Sequence, residues 1–189
     1  DTSAYVWVCD PIDGTSMFAA GVPLNVFALA LVDRQTGQPV VAVVYDPYLE
    51  RLYSAIKGSG ANVNGTPLSV SSVATLEQST ISITSDRSEI INSPLLKSEI
   101  ISKAHRTRGL GSVLYEAMVV ASGSFAAQVF VGFGAHDVAA AKLIVEEAGG
   151  KVTDAFGQEQ RYDQKIRGAI MSNGLVHNEL TALATSCKL

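Results

Sequence analysis

Short apolar runs dominate the first third of the chain. They occupy residues 5–9, 26–32 and 40–45, and each has the length of a strand rather than of a helix. The second and third runs flank a turn that contains a glycine and a proline, so we expect a hairpin. Residues 51–56 are expected to add a further strand. Because the runs are almost continuously apolar, they predict a sheet that is covered on both faces.

The remainder of the chain alternates between strand and helix patterns. Asp137 stands where the clearest helix begins and is typical of an N-cap, and two glycines can end this helix in a left-handed turn. The alternation favours an α/β or a layered α+β fold, with a boundary in the Ser/Thr-rich stretch 70–79. The predicted strands are 80–84, 127–131 and 168–172, and the predicted helices are 94–104, 112–121, 136–148 and 175–184.

Composition narrows the classes of function. Of the 189 residues, 47% are hydrophobic and 17% are charged, as in a globular chain with a sizeable core. The net charge of -4 argues against a partner that is a nucleic acid polymer, since such binders carry a basic patch. No apolar stretch approaches the roughly 20 residues of a membrane span. Cys9 and Cys187 have neither disulfide-framework nor zinc spacing, so we expect a reducing, cytoplasmic setting.

The candidate chemistry lies where the first apolar run ends, in the segment Asp10-Pro11-Ile12-Asp13-Gly14-Thr15. Hard divalent cations such as Mg²⁺ select carboxylate, carbonyl and water oxygens, and this turn offers two carboxylates three residues apart. Aspartate is also common in turns without any metal. Two carboxylates held together without a cation would repel each other and raise a pKa, which favours the metal. The glycine and the amides after it can bind an anion such as phosphate.

Two long segments resemble the signatures of a known family. Asp10 to Thr15, followed by Phe18, Gly21 and Pro23, resembles the first signature of the inositol monophosphatase family of magnesium-dependent, lithium-sensitive phosphatases. Residues 136–150 look like the second signature. Three shorter segments between them, 43–47, 57–61 and 64–65, follow the order and spacing of the family. The resemblance covers essentially the whole chain, and two long signatures in the correct order are specific.

The resemblance implies the fold. We expect an α+β chain built as a layered αβαβα sandwich of the sugar-phosphatase type, with mixed sheets and packed helices. Members of the family carry an N-terminal helical region and a Gly-Glu-Glu type segment upstream of the first signature, so we expect this chain to be truncated before Asp1. Residues 1–75 would be the remainder of an N-terminal sheet domain with the metal-binding turn, and residues 76–189 a C-terminal α/β domain.

The resemblance also implies the metal ligands. Asp10 would bridge two Mg²⁺ ions, the carbonyl of Ile12 would bind one of them, and Asp13 would bind the other. Asp137 would complete the shell of the second ion. Without the upstream glutamate, the first ion would depend on Asp10 and Ile12 alone and would bind weakly. Read without the resemblance, Asp137 could simply be a helix cap that contributes about 1 kcal/mol.

The substrate would be held by residues of both signatures and of the start of the predicted helix 112–121. Gly14 and Thr15 would offer amides to the phosphate, and Thr15 and Asp13 would be the catalytic residues, with Thr15 orienting the attacking water. Gly111 and Ser112 match positions that line the alcohol pocket, and Asp137 would also contact the substrate.

The implied reaction is hydrolysis of a phosphomonoester by two-metal activated water, with in-line displacement and no phosphoenzyme. Mn²⁺ is a possible replacement for Mg²⁺, Li⁺ would inhibit, and a homodimer is implied. Substrates of the family include inositol phosphates, histidinol phosphate, nucleotide 3'-phosphates and sugar phosphates. Phe130 stands where inositol-specific members place a glutamate, and this argues against inositol specificity. The alternative is a catalytically impaired fragment or pseudoenzyme that binds metal or a partner.

Other interpretations concern single residues. The haloacid dehalogenase type, which shares Asp-Gly-Thr, needs a second Asp two residues after the nucleophile, and Ile12 occupies that position. His136 stands where the family usually has tryptophan, and could be a ligand or, more commonly, a pocket wall. We further expect Cys9 to be buried and five other residues to be surface groups: His105, His177, Glu116, Glu146 and Glu147.

Overall fold

The computed structural model describes residues 3–85 and 93–187, so Asp1, where we expect the truncation, lies outside the described residues. The first sheet has six antiparallel strands that follow one another in chain order. The predicted hairpin is present, with Leu29 opposite Val43. A five-residue helix, α1 (Thr15–Ala19), connects the first two strands. The strands are β1 (Tyr5–Asp13), β2 (Val26–Asp33), β3 (Gln38–Asp46), β4 (Arg51–Ile56), β5 (Ala61–Val63) and β6 (Thr66–Pro67).

The second sheet is mixed. Its strands are β7 (Thr80–Ser85), β8 (Arg106–Arg108), β9 (Ala127–Val131), β10 (Lys151–Thr153) and β11 (Ala169–Ser172). They are arranged in the order β10-β11-β9-β7-β8. Strand β7 pairs in parallel with β8 and β9, whereas β11 pairs antiparallel with β9 and β10. The parallel pairs are joined by crossovers that contain helices, as parallel pairing requires.

Four longer helices complete a layered α+β fold, and the predicted class is confirmed. They are α2 (Ser93–Lys103), α3 (Val113–Ala121), α4 (Ala139–Glu147) and α5 (His177–Ser186). Helices α3 and α4 share one core cluster with the inner face of the first sheet. Helices α2 and α5 pack in a second cluster with the second sheet. The described residues therefore form four layers in the order sheet, helices, sheet, helices.

The proposed division near residue 75 stays a prediction. The first core cluster joins Val26 and Val44 of the first sheet to Ile144 of α4 and Met171 of the second sheet. The two parts thus share buried apolar contacts. None of the helices in the described ranges is long and apolar enough to span a bilayer.

The predicted helix 136–148 begins later than expected. Residues Ala135–Asp137 form a single 3₁₀ turn, and α4 starts after Val138, which makes no side-chain capping hydrogen bond. Asp137 is therefore not the N-cap of α4, and the capping interpretation of this residue is wrong. The C-terminal prediction is correct, because Gly149 follows the helix at φ 91.

The expectation that both faces of the first sheet are covered is wrong. One face packs on α3 and α4, while the other exposes Trp7 by 59% and Ile56 by 58%. Cys9 lies on this outer face and is exposed, contrary to expectation. Alternation along β1 explains this, since residues 5, 7 and 9 point to the face opposite Val6 and Val8. The other large apolar residues that this face exposes are Tyr5, Phe27, Tyr45 and Leu52.

Glu146 and Glu147, at the end of α4, are half-buried, whereas we expected both of them at the surface. The carboxylate of Glu147 accepts hydrogen bonds from the amides of Gly58 and Gly60, both at 2.7 Å. Glu146 accepts from the ammonium of buried Lys142 at 2.7 Å. These two residues tie α4 to the β4–β5 turn and to its own preceding turn.

His177, expected at the surface, is fully buried at the start of α5. The hydroxyl of Thr153 donates to the carbonyl of Asp154 at 2.8 Å, so it accepts from Nε2 of His177 at 2.9 Å. The hydroxyl of Ser172 then donates to Nδ1 at 2.8 Å. Burial, with smaller contributions from Lys151 and Lys142, lowers the pKa of His177 to about 4. The imidazole is a neutral crosslink between β10, β11 and α5.

We expect this crosslink to make stability depend on pH. The unfolded histidine, with a pKa of about 6.5, binds a proton below this pH, whereas the folded histidine stays neutral until the pH is close to 4. The contribution of His177 to the free energy of unfolding is therefore fully present above pH 6.5 and decreases as the pH falls towards 4. Urea unfolding should show that wild type loses about 2 kcal/mol more than His177→Gln between pH 8 and pH 5. Exposed His105, which was predicted correctly, supplies the control, because His105→Gln should keep the wild-type pH dependence. Parallel curves for wild type and His177→Gln would contradict the assignment.

Candidate functional site

A β-bulge at the end of β1 positions the two carboxylates of the signature turn. Asp10 lies opposite Ala28 and Asp13 opposite Val26, so two residues of β1 face the single residue Phe27. In a regular strand, residues three apart point to opposite faces. The extra residue in the bulge reverses this, and Asp10 and Asp13 are both buried while the two residues between them are exposed.

Asp13 is held at the N-terminus of α3. Its carboxylate accepts hydrogen bonds from the amides of Val113 at 3.3 Å and Leu114 at 2.7 Å, and from the hydroxyl of Ser112. The Ser112 oxygen also accepts from the amide of Tyr115 at 3.1 Å, so Ser112 is the N-cap of α3. Burial raises the pKa of Asp13, and the bonds from Ser112 and Leu114 oppose this. A carboxylate at a helix N-terminus is favourable, and this one joins β1 to α3.

Asp10 and Ile12 belong to the same bulge. The amide of Ile12 donates to Oδ1 of Asp10 at 3.0 Å, and the hydroxyl of Thr15 donates to the carbonyl of Ile12 at 3.1 Å. Burial raises the pKa of Asp10, and both the Ile12 amide and the charge of His136 act in the opposite direction. A bound cation would remove this cost of ionisation.

Gly14 turns the chain from β1 into α1. Its φ is +83, in the left-handed region that favours glycine. A Cβ at this position would lie 2.6 Å from the carbonyl oxygen of Leu24 and 2.9 Å from Cβ of Ser112. Thr15 then begins α1. Glycine is therefore required here both by the backbone conformation and by the space available.

Asp137 of the second signature reaches the first signature. One ligand atom from each of Asp10, His136 and Asp137 can be chosen so that all three lie within 4.8 Å of one another. Nε2 of His136 is 3.7 Å from Oδ1 of Asp137. The structure thus brings Asp10 and Asp137 together, as the resemblance implies, and adds a histidine. A cleft of about 530 Å³ adjoins His136 and extends between β1 and the segment 162–165.

The turn that contains Leu110 and Gly111 is held by the carboxylate of Glu116. Glu116, expected at the surface, is fully buried. Its Oε1 accepts from the amides of Leu110 at 2.5 Å and Gly111 at 3.2 Å. Its Oε2 accepts from the hydroxyl of Thr84 at 2.6 Å and the side-chain amide of Gln128 at 3.1 Å. The sequence contains a signal for this buried role, because Glu116 is the one charged residue in the otherwise apolar or aromatic segment 113–121.

Replacing Glu116 by glutamine is expected to destabilise the chain by about 2 kcal/mol or more. The carboxylate accepts four hydrogen bonds, and the NH₂ group of glutamine cannot accept the two that one of its oxygens receives. Chemical unfolding of Glu116→Gln measures this loss. Glu179 on α5 is exposed, and Glu179→Gln should stay within about 0.5 kcal/mol of wild type. Equal stability of the two variants would show that the carboxylate of Glu116 has no such role.

Comparisons with known proteins match this chain to one family. The model of the inositol monophosphatase family matches residues 1–189. An inositol monophosphatase of Dictyostelium discoideum is 37% identical over 184 residues, which cover 94% of this chain and 65% of that protein. The chain therefore spans about two thirds of the length of this curated relative.

Two solved structures have the same fold. The Thermotoga maritima IMPase TM1415 superimposes with a TM-score of 0.87 and 32% identity over 99% of this chain and 71% of its own. An IMPase/NADP phosphatase complexed with Mg²⁺ and phosphate gives a TM-score of 0.85 and 27% identity, over 96% of this chain and 67% of its own. The paired signatures, the fold and the family match lead to one conclusion: the chain belongs to the inositol monophosphatase family.

Proposed function

We propose that this chain carries the active-site part of a magnesium-dependent phosphomonoesterase that hydrolyses a small phosphorylated alcohol. The observation that carries the proposal is the convergence of Asp10 and Asp137, one from each signature, beside the Gly14 turn. A relative of this family has been crystallised with Mg²⁺ and phosphate, the two ligands that such a site would hold.

The residues present fit a divalent cation. Asp10 is buried with a raised pKa, and Asp137 adds a second carboxylate within the same 4.8 Å cluster. Oxygen donors of this kind suit Mg²⁺. We assign Asp10, Asp137, Asp13 and the carbonyl of Ile12 as the residues that would hold the metal. Bound divalent ions, two or more in this proposal, would supply an activated water and neutralise phosphoryl charge.

The remaining roles belong to groups of the chain itself. Gly14 and Thr15 would direct backbone amides at the phosphate, because the start of α1 leaves amide groups without helical partners. We propose that the Thr15 hydroxyl, fixed by the Ile12 carbonyl, helps to orient water. Asp13 would also fix the position of the signature turn relative to α3, because its carboxylate accepts three hydrogen bonds from residues 112–114. Gly111 and Ser112 would border the alcohol.

A catalytically impaired family member that binds metal or a partner is the second candidate. The observation in its favour is that the groups proposed for catalysis are already engaged. The Thr15 hydroxyl donates to Ile12, and both carboxylate oxygens of Asp13 accept hydrogen bonds from α3. A hydroxyl held in this way can still accept a hydrogen bond, but it must exchange its partner before it can donate its proton elsewhere.

The experiment that separates the two candidates is a phosphate-release panel. It uses inositol phosphates, histidinol phosphate, adenosine 3',5'-bisphosphate and fructose 1,6-bisphosphate, each with Mg²⁺, with Mn²⁺, with Mg²⁺ plus Li⁺, and with a chelator. We expect release from at least one compound with Mg²⁺, and none with the chelator. Metal binding without release from any compound would favour the impaired family member.

We also propose a homodimer and a cytoplasmic setting. The outer face of the first sheet exposes aromatic and aliphatic side chains, and exposed surfaces of this kind commonly bind another protein surface. Cys9 and Cys187 are both free thiols, which suits a reducing compartment. Light scattering should give twice the mass of the chain, and a monomeric mass at micromolar concentration would contradict the dimer.

A further inference from the structure

His136 stands inside the cluster that we assign to the metal. Its Nε2 lies 3.7 Å from Oδ1 of Asp137, and one atom of Asp10 is within 4.8 Å of both side chains. Nitrogen and oxygen ligands of one first-row divalent ion, each about 2.1 Å from it, are separated by about 3 to 4 Å. The distance between His136 and Asp137 is therefore that of two ligands of a common ion.

Gly134 provides the space for this arrangement. A Cβ on Gly134 would lie 2.2 Å from Oδ2 of Asp137 and 2.9 Å from Cε1 of His136. The φ of Gly134 is -76, which any residue can adopt, so the backbone conformation does not require glycine here. The missing side chain instead lets the two ligand groups fold back over the turn that precedes them.

An isolated ion pair explains less of this geometry. The His136 side chain is 55% exposed and that of Asp137 is 22% exposed, and a surface pair of this kind contributes little to stability. Such a pair would also leave unexplained why buried Asp10 joins the same cluster.

We propose that His136 is a ligand of the metal site, and that its imidazole shifts the preference of the site from Mg²⁺ towards Co²⁺ and Zn²⁺. Carboxylates and water suit Mg²⁺, whereas imidazole suits the later first-row ions. The inference rests on the proposed function for the existence of the metal site, and it goes beyond it in the ligand and in the metal selected.

Pulsed electron paramagnetic resonance of the Mn²⁺-loaded chain tests the ligand directly, without any turnover. We expect a ¹⁴N modulation from a coordinated imidazole in wild type and its loss in His136→Gln. The chain has three histidines, and His105→Gln is the matched control that should keep the signal. His177 is buried with both ring nitrogens hydrogen-bonded.

Calorimetry with Mg²⁺ and with Co²⁺ tests the selectivity. His136→Gln should weaken Co²⁺ binding about tenfold and change Mg²⁺ binding less than threefold. Equal losses for the two ions, or a wild-type Mn²⁺ spectrum without ¹⁴N modulation, would overturn the inference, as would a chain that binds no Mn²⁺. Phosphate release without the ¹⁴N signal would show that His136 is not a ligand and would leave the proposed function intact. The ¹⁴N signal without phosphate release would support His136 as a ligand and contradict the proposed function.

Discussion

Replacing Asp10 by asparagine is expected to reduce magnesium-dependent phosphate release by at least about 100-fold, since a lost ligand removes several kcal/mol of charge stabilisation. The same variant should bind divalent ions much more weakly. Asparagine keeps the shape of the side chain and can still accept the hydrogen bond from the amide of Ile12. The effect therefore isolates the charge of Asp10 from its contribution to the bulge.

The stability of this variant is expected to change in the opposite direction. Burial raises the pKa of Asp10 in the folded, metal-free chain, so ionisation of this residue at neutral pH disfavours the folded state. A neutral asparagine removes that cost, and the free energy of unfolding without metal should be equal to or higher than that of wild type. With saturating Mg²⁺ the order should reverse, because binding to the folded state stabilises only the chain that binds.

Urea unfolding with Mg²⁺ and with a chelator, together with phosphate release, measures both effects. Glu77 is exposed on a 3₁₀ turn, and Glu77→Gln controls for the loss of a carboxylate elsewhere. Full activity of Asp10→Asn would remove Asp10 from the metal site. A large loss of stability without metal would instead assign Asp10 a structural role in the bulge.

Replacing Gly14 by alanine is expected to cost about 3 kcal/mol of stability and to abolish metal-dependent activity. The left-handed conformation costs a non-glycine residue roughly 1 to 2 kcal/mol. The added Cβ would also meet the carbonyl oxygen of Leu24 at 2.6 Å, and this backbone atom cannot move without displacing the segment that enters β2. The turn would shift, and Asp13 and the start of α1 would shift with it.

Gly21 offers a matched control only seven positions further along the chain. Its φ is +71, and a Cβ there would meet nothing within 4 Å. Gly21→Ala should therefore show the conformational cost alone, about 1 kcal/mol, and retain activity. Similar losses in the two variants would mean that crowding around Gly14 is unimportant.

Elements that depend on local sequence agree with expectation, and features that depend on distant contacts do not. The hairpin of β2 and β3 and the strands 80–84, 127–131 and 168–172 were predicted correctly, because they depend on hydrophobic periodicity and on turn residues that are adjacent in sequence. The signature residues also identified the family. The start of α4 was misplaced, because a 3₁₀ turn and an α-helix share the same apolar spacing over a few residues.

Two of the errors on single residues have the same origin. Glu116 and His177 carry polar groups that favour the surface, and both are fully buried. Their burial depends on partners from distant elements, such as Thr84 and Gln128 for the glutamate and Thr153 for the histidine. The hydrophobic periodicity of a single helix gives no information on whether such partners exist.

The sequence by itself determined the family, the layered class of fold and the candidate ligands Asp10, Asp13 and Asp137. Only the tertiary structure decided where these carboxylates lie: the bulge in β1 turns Asp10 and Asp13 to one face, holds Asp13 at the N-terminus of α3 and brings Asp10 to Asp137 and His136. The reason is physical. A metal site is a convergence of atoms within a few ångströms, and residues more than a hundred positions apart, such as Asp10 and Asp137, reach that distance only through sheet register and helix packing, which no single segment specifies.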